Sequence, residues 1–200
     1  VPALGGVPRQ LTTFGSRPSY SPDGKTIVFE SASVVDFAAN SLGALPPSVL
    51  WIVPVAGGEA RPLTEVGRPN GGHGAAAWSP DGRRIAFAAY DRTTSEIWTI
   101  PAGGGAPVKV TDGNGQCYDP VWGEDGTSVL FACWSETWNV GVLRRKVSTA
   151  TGRPAGPAEE LASFSFEHPG ALTAPADADG WEPRGVGDNG VHYTSDLVGT

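Results

Sequence analysis

Residues 75–111 read AAAWSPDGRRIAFAAYDRTTSEIWTIPAGGGAPVKVT, and the turn residues in this stretch decide the fold class. In Ser79-Pro80-Asp81-Gly82 the proline presets φ at the first central position. The aspartate bonds neighbouring amides, and the glycine takes the left-handed conformation that closes the loop. The flanks then alternate, so that Ile85 and Phe87 point to one side of their strand. An apolar run, EIWTIP at 96–101, leads through a glycine turn to a strand closing at Val110-Thr111. The order is strand A, Asp-Gly turn, strand B, loop, strand C, Gly-Gly turn, strand D.

The same two hairpins recur along the chain. The Asp-Gly hairpin is RPSYSPDGKTIVFES at 17–31, DPVWGEDGTSVLFAC at 119–133 and EPRGVGDNGVHYTS at 182–195. The Gly-Gly hairpin is VPALGGVPRQLT at 1–12 and VPVAGGEARPLT at 53–64, aligning without a gap on 100–111. Glycine suits both turns because positive φ carries no steric cost for it. A further strand, VLWIVP at 49–54, matches 96–101. Four consecutive strands in each repeat predict an all-β fold, a β-propeller of four-stranded antiparallel blades.

Composition agrees. The chain has 28 Gly, 18 Pro and no Met in 200 residues, a mix that disfavours long helices. A formal net charge of -7 without long charge runs argues against a nucleic-acid or anionic-membrane surface. No apolar stretch approaches the ~20 residues that span a bilayer, and the first residues lack the pattern of a secretory signal. The lack of any Met points to an excised or processed chain.

With these hairpins and a tryptophan in strand C, the sequence resembles the WD-like propeller repeats of the TolB-type bacterial family. The likeness covers nearly the whole chain and is thinnest over 161–200, where Gly185 stands at the aromatic position. It implies one propeller domain or fragment over 1–200: the end of strand C and strand D of a preceding or closing blade at 1–12, blades at 17–64, 75–111 and 119–161, and a partial blade at 182–200. About three complete blades plus a split or partial fourth point to part of a six- or seven-bladed propeller over a closed four-bladed ring. The remaining blades would come from the parent chain or from another copy. The resemblance also implies a periplasmic or extracellular setting, with the cytoplasm as the alternative.

Two insertions depart from the minimal repeat. Residues 32–48 expand a B–C loop with apolar content that packs on its own domain or meets a partner. Residues 144–181 combine a longer C–D connection at 149–153 with a Pro/Ala-rich segment whose composition suggests loop.

No catalytic centre emerges, since no Gly-x-Ser-x-Gly elbow occurs. His73, His168 and His192 lack metal-ligand spacing. Asp112, Asn114 and Gln116 alternate like calcium ligands, but Cys117 and Gly123 stand where such a loop needs Gly and Glu, so a polar D–A turn accounts for them better. No cofactor and no metal is expected.

The candidate partner-binding residues come from superposing the repeats. Arg17, Ala75, Asp119 and Glu182 occupy one position at the start of strand A, near the channel mouth, where they would form part of a ring. Arg68, Asn70 and His73 on the D–A loop would join it, and pairing between blades is the competing explanation. Trp51, Trp98 and Trp138 in strand C, and Tyr20, Trp78 and Trp122 before the turn, recur at matched positions and read as inter-blade packing. Trp134, placed with Glu136 on a B–C loop, breaks the pattern and is a candidate contact residue. Cys117 and Cys133 flank the third Asp-Gly turn. If Trp122 lies opposite Ser128, the two cysteines face each other and a disulfide or a pair of free thiols is open to them; a one-residue slip sets Cys117 opposite Ala132.

These readings describe a non-catalytic scaffold that binds a protein or peptide, with no nucleic-acid partner and no direct membrane insertion by this segment. The alternatives are an accessory substrate-filtering propeller of a prolyl-oligopeptidase-like serine peptidase and the sensor portion of a membrane-linked receptor or kinase.

Overall fold

The computed structural model describes residues 7–32, 48–91, 94–113, 116–134, 139–165 and 172–173. Strands β1 (Ser16–Tyr20), β2 (Thr26–Glu30), β3 (Leu50–Pro54) and β4 (Arg61–Pro62) form one sheet in chain order. The next unit is β5 (Gly72–Trp78), β6 (Arg84–Tyr90), β7 (Ser95–Pro101) and β8 (Val108–Lys109). The third is β9 (Gln116–Trp122), β10 (Ser128–Trp134), β11 (Asn139–Val147) and β12 (Pro154–Ser165), with β13 (Leu172–Thr173) added on β12. Neighbouring strands within each unit are antiparallel, and one parallel bridge, Ser95 to Gln116, joins the second unit to the third.

The turns adopt the geometry their residues require. Ser79 Oγ donates to Asp81 Oδ1 at 2.6 Å, Arg83 N donates to the same oxygen at 3.0 Å, and Gly82 N closes on Ser79 O at 2.9 Å. Gly82 sits at φ 68°, in the left-handed region. A Cβ added there meets only Pro22 Cδ at 3.7 Å, so crowding would contribute little. Gly82→Val is therefore expected to lower stability by at least ~1 kcal/mol through backbone strain alone, read as a lower denaturant midpoint.

Both faces of the middle unit are covered. Ile85, Phe87 and Ile100 pack with Val28, Leu50, Ile52 and Leu63 of the first unit. Ala86, Ala88, Ile97 and Val110 pack with Val129, Phe131 and Val147 of the third. Central strands flanked on both sides read as continuous apolar runs, as IAFAA at 85–89, buried throughout, does here. Indoles tie the units together as well: Trp78 Nε1 donates to Ser19 O at 3.1 Å and Trp122 Nε1 to Ala77 O at 3.2 Å. Matched positions at the two outer faces are open. Tyr20 is 61% exposed, and Val142 is 40% exposed where Leu50 and Ile97 are fully buried.

Each first strand carries a bulge. Register shifts occur in β1 between Ser16 and Ser19, in β5 between Gly74 and Ala77, and in β9 opposite the step from Leu130 to Ala132. The bulged residues Arg17, Ala75 and Asp119 have φ of 48°, 52° and 47°. Such a bulge turns the side chain away from the pleat.

Four expectations need correction. Trp122 pairs with Val129, not Ser128; the bulge at Asp119 then removes the slip, so that Tyr118 faces Ala132 and Cys117 faces Cys133. Part of the segment expected to be loop is β12, the longest strand described, paired along β11. Its prolines fit because Pro154 opens the strand and Pro157 lies in a register break, where no ladder amide is needed. Trp134 is not on a loop: it ends β10, half-buried, with its backbone set between Gln116 and Val140. Residues 7–12 form no strand, although Leu11 packs on Ile27, Phe29 and Val53. The 33–47 insertion, Trp138, His168 and the 182–195 hairpin lie outside the described residues.

Candidate functional site

The three bulges converge. Arg17 of the first unit reaches past Ala75 of the second to the third, where its Nη2 lies 3.5 Å from Asp119 Oδ1. Its Nε lies 3.6 Å from Glu30 Oε1. Glu30 ends β2 and is fully buried, and the same carboxylate oxygen accepts the N–H of the bulged Ala75 at 2.7 Å. Tyr90, at the end of β6, stacks at a tilt on Tyr118 of β9 with ring centroids 5.7 Å apart. The Tyr118 hydroxyl donates to Gln116 Oε1.

Electrostatics keep both phenols protonated. Burial pushes the Tyr90 hydroxyl far above its ordinary range, and the negative charges of Asp119 and Glu30 add to this against the opposing Arg17. Burial raises Tyr118 too. The result is a cluster with a half-exposed guanidinium, an exposed carboxylate and two neutral phenols. Such a set can receive the charged and amide groups of a peptide. Among the described residues no group of three or more His, Cys, Asp or Glu could hold a metal.

Of the residues singled out from the sequence, Arg17 and Asp119 are brought together. Arg68 instead pairs with Glu65 at 3.7 Å on the surface, and Asn70 Nδ2 donates to Asp91 Oδ2 at 2.6 Å. His73 is a correction. It presents nothing to a ligand, being fully buried against Phe87, with Nδ1 2.8 Å from Thr64 Oγ1 and Nε2 2.8 Å from Pro69 O. A carbonyl can only accept, so Nε2 carries the proton and Nδ1 accepts from the threonine hydroxyl, which itself accepts Leu50 N–H at 2.9 Å. Asp112 is likewise engaged, 2.6 Å from Arg145 Nη1. Glu136 and Glu182 lie outside the described residues. Sequence reasoning missed Glu30, Tyr90 and Tyr118. The repeats did hold a signal for the first, because Glu30 stands where Ala88 and Ala132 stand in the other units.

Burial lowers the His73 imidazole below its ordinary 6.5, with the Pro69 carbonyl opposing. Below that pH the unfolded chain binds a proton that the native state refuses, so this contribution to stability is complete above 6.5 and is lost progressively as the pH falls. The slope is expected to approach, and not exceed, ~1.4 kcal/mol per pH unit. Urea midpoints between pH 7.5 and 5 should show it in the wild type and lack it in His73→Gln.

No protein-family model matches the chain, and neither does any curated protein. Solved structures do match. TolB from Agrobacterium tumefaciens superposes with a TM-score of 0.54 at 21% identity, covering 75% of this chain and 48% of its own. The fold is a TolB-like β-propeller. TolB from Acinetobacter baumannii gives a TM-score of 0.53 at 17% identity over 72% of this chain and 31% of its own. Oligogalacturonate lyase from Vibrio parahaemolyticus gives 0.57 at 14% over 75% and 42%. The chain thus spans less than half the length of each structure named. The four-stranded units correspond to propeller blades, and the three bulges fall in the first strand of each.

Proposed function

We propose that this stretch of TolB-like propeller is a binding scaffold, and that the bulge mouth is where it takes a protein or peptide partner. One observation carries the reading: Arg17 and Asp119, from the first and third blades, meet over a buried carboxylate while both keep solvent access. A pair built only for stability gains little there, because an exposed ion pair is worth ~0–1 kcal/mol. The propeller fold itself is shared by TolB and by lyases, so the site and not the fold supports binding over catalysis. Among the described residues no helix is long and apolar enough to cross a membrane. A disulfide between Cys117 and Cys133 supports an extracytoplasmic setting.

The test is a displayed random-peptide library selected on the wild-type chain. Peptides that bind the mouth should lose at least tenfold in affinity to Asp119→Lys, while the thermal midpoint of that variant moves by no more than ~2 °C, as expected for an exposed residue. Retained affinity together with a large fall in the midpoint would assign the pair to inter-blade stability instead.

A further inference from the structure

The second and third blades meet through an aromatic pair, and the repeat lets that contact be followed from one junction to the next. Tyr90 ends β6, Tyr118 directly precedes the bulged Asp119, and their ring centroids are 5.7 Å apart. The register fixes the equivalents of each. Tyr90 is the Cα partner of Gly72 as Trp134 is of Gln116, and Ala32 stands at the same distance from its turn glycine in the first blade. One residue before the bulges stand Ser16, Gly74 and Tyr118. The first junction therefore matches Ala32 with Gly74, and the second matches Tyr90 with Tyr118.

At the far side of the third blade the same position is Trp134, half-buried at the end of β10. The residue that the repeat matches to it is Trp181, directly before Glu182, the fourth residue of the bulge series. Side-chain size thus changes in step: small with small, phenol with phenol, indole with indole. Packed contacts require such matching, because voids and excess volume both cost stability. The third blade also has an open face to receive a neighbour. Val121 and Val142 are exposed there, whereas Leu50 and Ile97, at the position of Val142, are fully buried beneath the next blade. The other tie between blades has no counterpart at this junction. Trp78 and Trp122 donate their indole N–H groups to Ser19 O and Ala77 O, but Gly185 stands at that position in the fourth repeat.

We propose that the open face of the third blade is the seat of this chain's own 181–195 segment, which lies outside the described residues, and that an indole–indole contact between Trp181 and Trp134 holds it there. An offset or edge-to-face aromatic pair suits that position, as Tyr90 and Tyr118 do one junction earlier. Trp134 then serves the next hairpin of its own chain and not a separate partner. The seating also carries Glu182 to the fourth bulge position, next along from Asp119. It stands whether or not the bulge mouth takes a partner, because each repeat contacts only its neighbours.

The experiment digests the whole chain with trypsin under native conditions and follows cleavage after Arg184, at the position of Val121, against cleavage after the exposed Arg9. Seating should protect the Arg184–Gly185 bond. Trp134→Ala and Trp181→Ala should each speed that cleavage by about tenfold or more, since proteolysis follows the population of the open form, and leave cleavage after Arg9 unchanged. Trp181→Phe keeps a ring and should retain most of the protection. A far-ultraviolet circular-dichroism exciton couplet between the two indoles should vanish alike in Trp181→Phe and Trp134→Phe, a change that general destabilisation does not produce. Rapid cleavage after Arg184 in the wild type, unchanged protection in either alanine variant, or protection lost on dilution, the mark of a second copy on this face, would overturn the proposal.

Discussion

Replacing Glu30 by leucine is expected to lower stability by ~3 kcal/mol, the cost of breaking a buried charged contact from one side. The carboxylate is fully buried, accepts the Ala75 amide at 2.7 Å and faces Arg17 Nε at 3.6 Å. Leucine would leave the bulge amide without this acceptor and the guanidinium without this counterion. Glutamine keeps an acceptor while removing the charge, so Glu30→Gln should recover roughly half the loss. Urea unfolding followed by tryptophan fluorescence distinguishes the three proteins. A loss below ~1 kcal/mol in Glu30→Leu would mean that the first strands are held by packing alone.

The disulfide should matter as much. Cys117 and Cys133 are 16 residues apart in sequence and bonded across β9 and β10. Closing a loop of that length restricts the unfolded chain by about 3 kcal/mol in the chain-entropy account. Reduction, or the paired change Cys117→Ser with Cys133→Ser, should lower the denaturant midpoint by a corresponding amount. Intact mass with thiol alkylation before and after reduction gives the chemical reading. Two freely alkylated cysteines in unreduced, natively exported protein would refute the bond.

How legible the fold was depended on how local each signal is. The Asp-Gly and Gly-Gly turns are set by residues within four positions of one another, and so the strand order of each unit could be read directly. Pairing across a sheet is less local. A Trp122–Ser128 turn pairing is off by one, yet it gives the right cysteine alignment because the bulge at Asp119 restores the register, and no residue type in DPVW requires that bulge. The alanines and prolines of β12 lack strand propensity and point to loop; the paired edge of β11 supplies what propensity does not. At the site, Arg17 and Asp119 followed from superposing the repeats. His73 did not, since its burial depends on Thr64 and Pro69, partners that only the folded D–A connection brings to it.

The bulge in each first strand has a consequence for how such a surface can change over time. Three side chains as different as Arg17, Ala75 and Asp119 occupy the same left-handed backbone position, within a few degrees of one another. The conformational penalty there is set largely by the main chain, smaller for aspartate and asparagine than for other side chains and greatest for β-branched ones. Substitution at these points therefore exchanges the chemistry displayed there on the same backbone frame, except at Arg17, which also balances the buried Glu30 carboxylate. On the proposed reading each blade contributes one socket whose side chain can change faster than the strand that carries it.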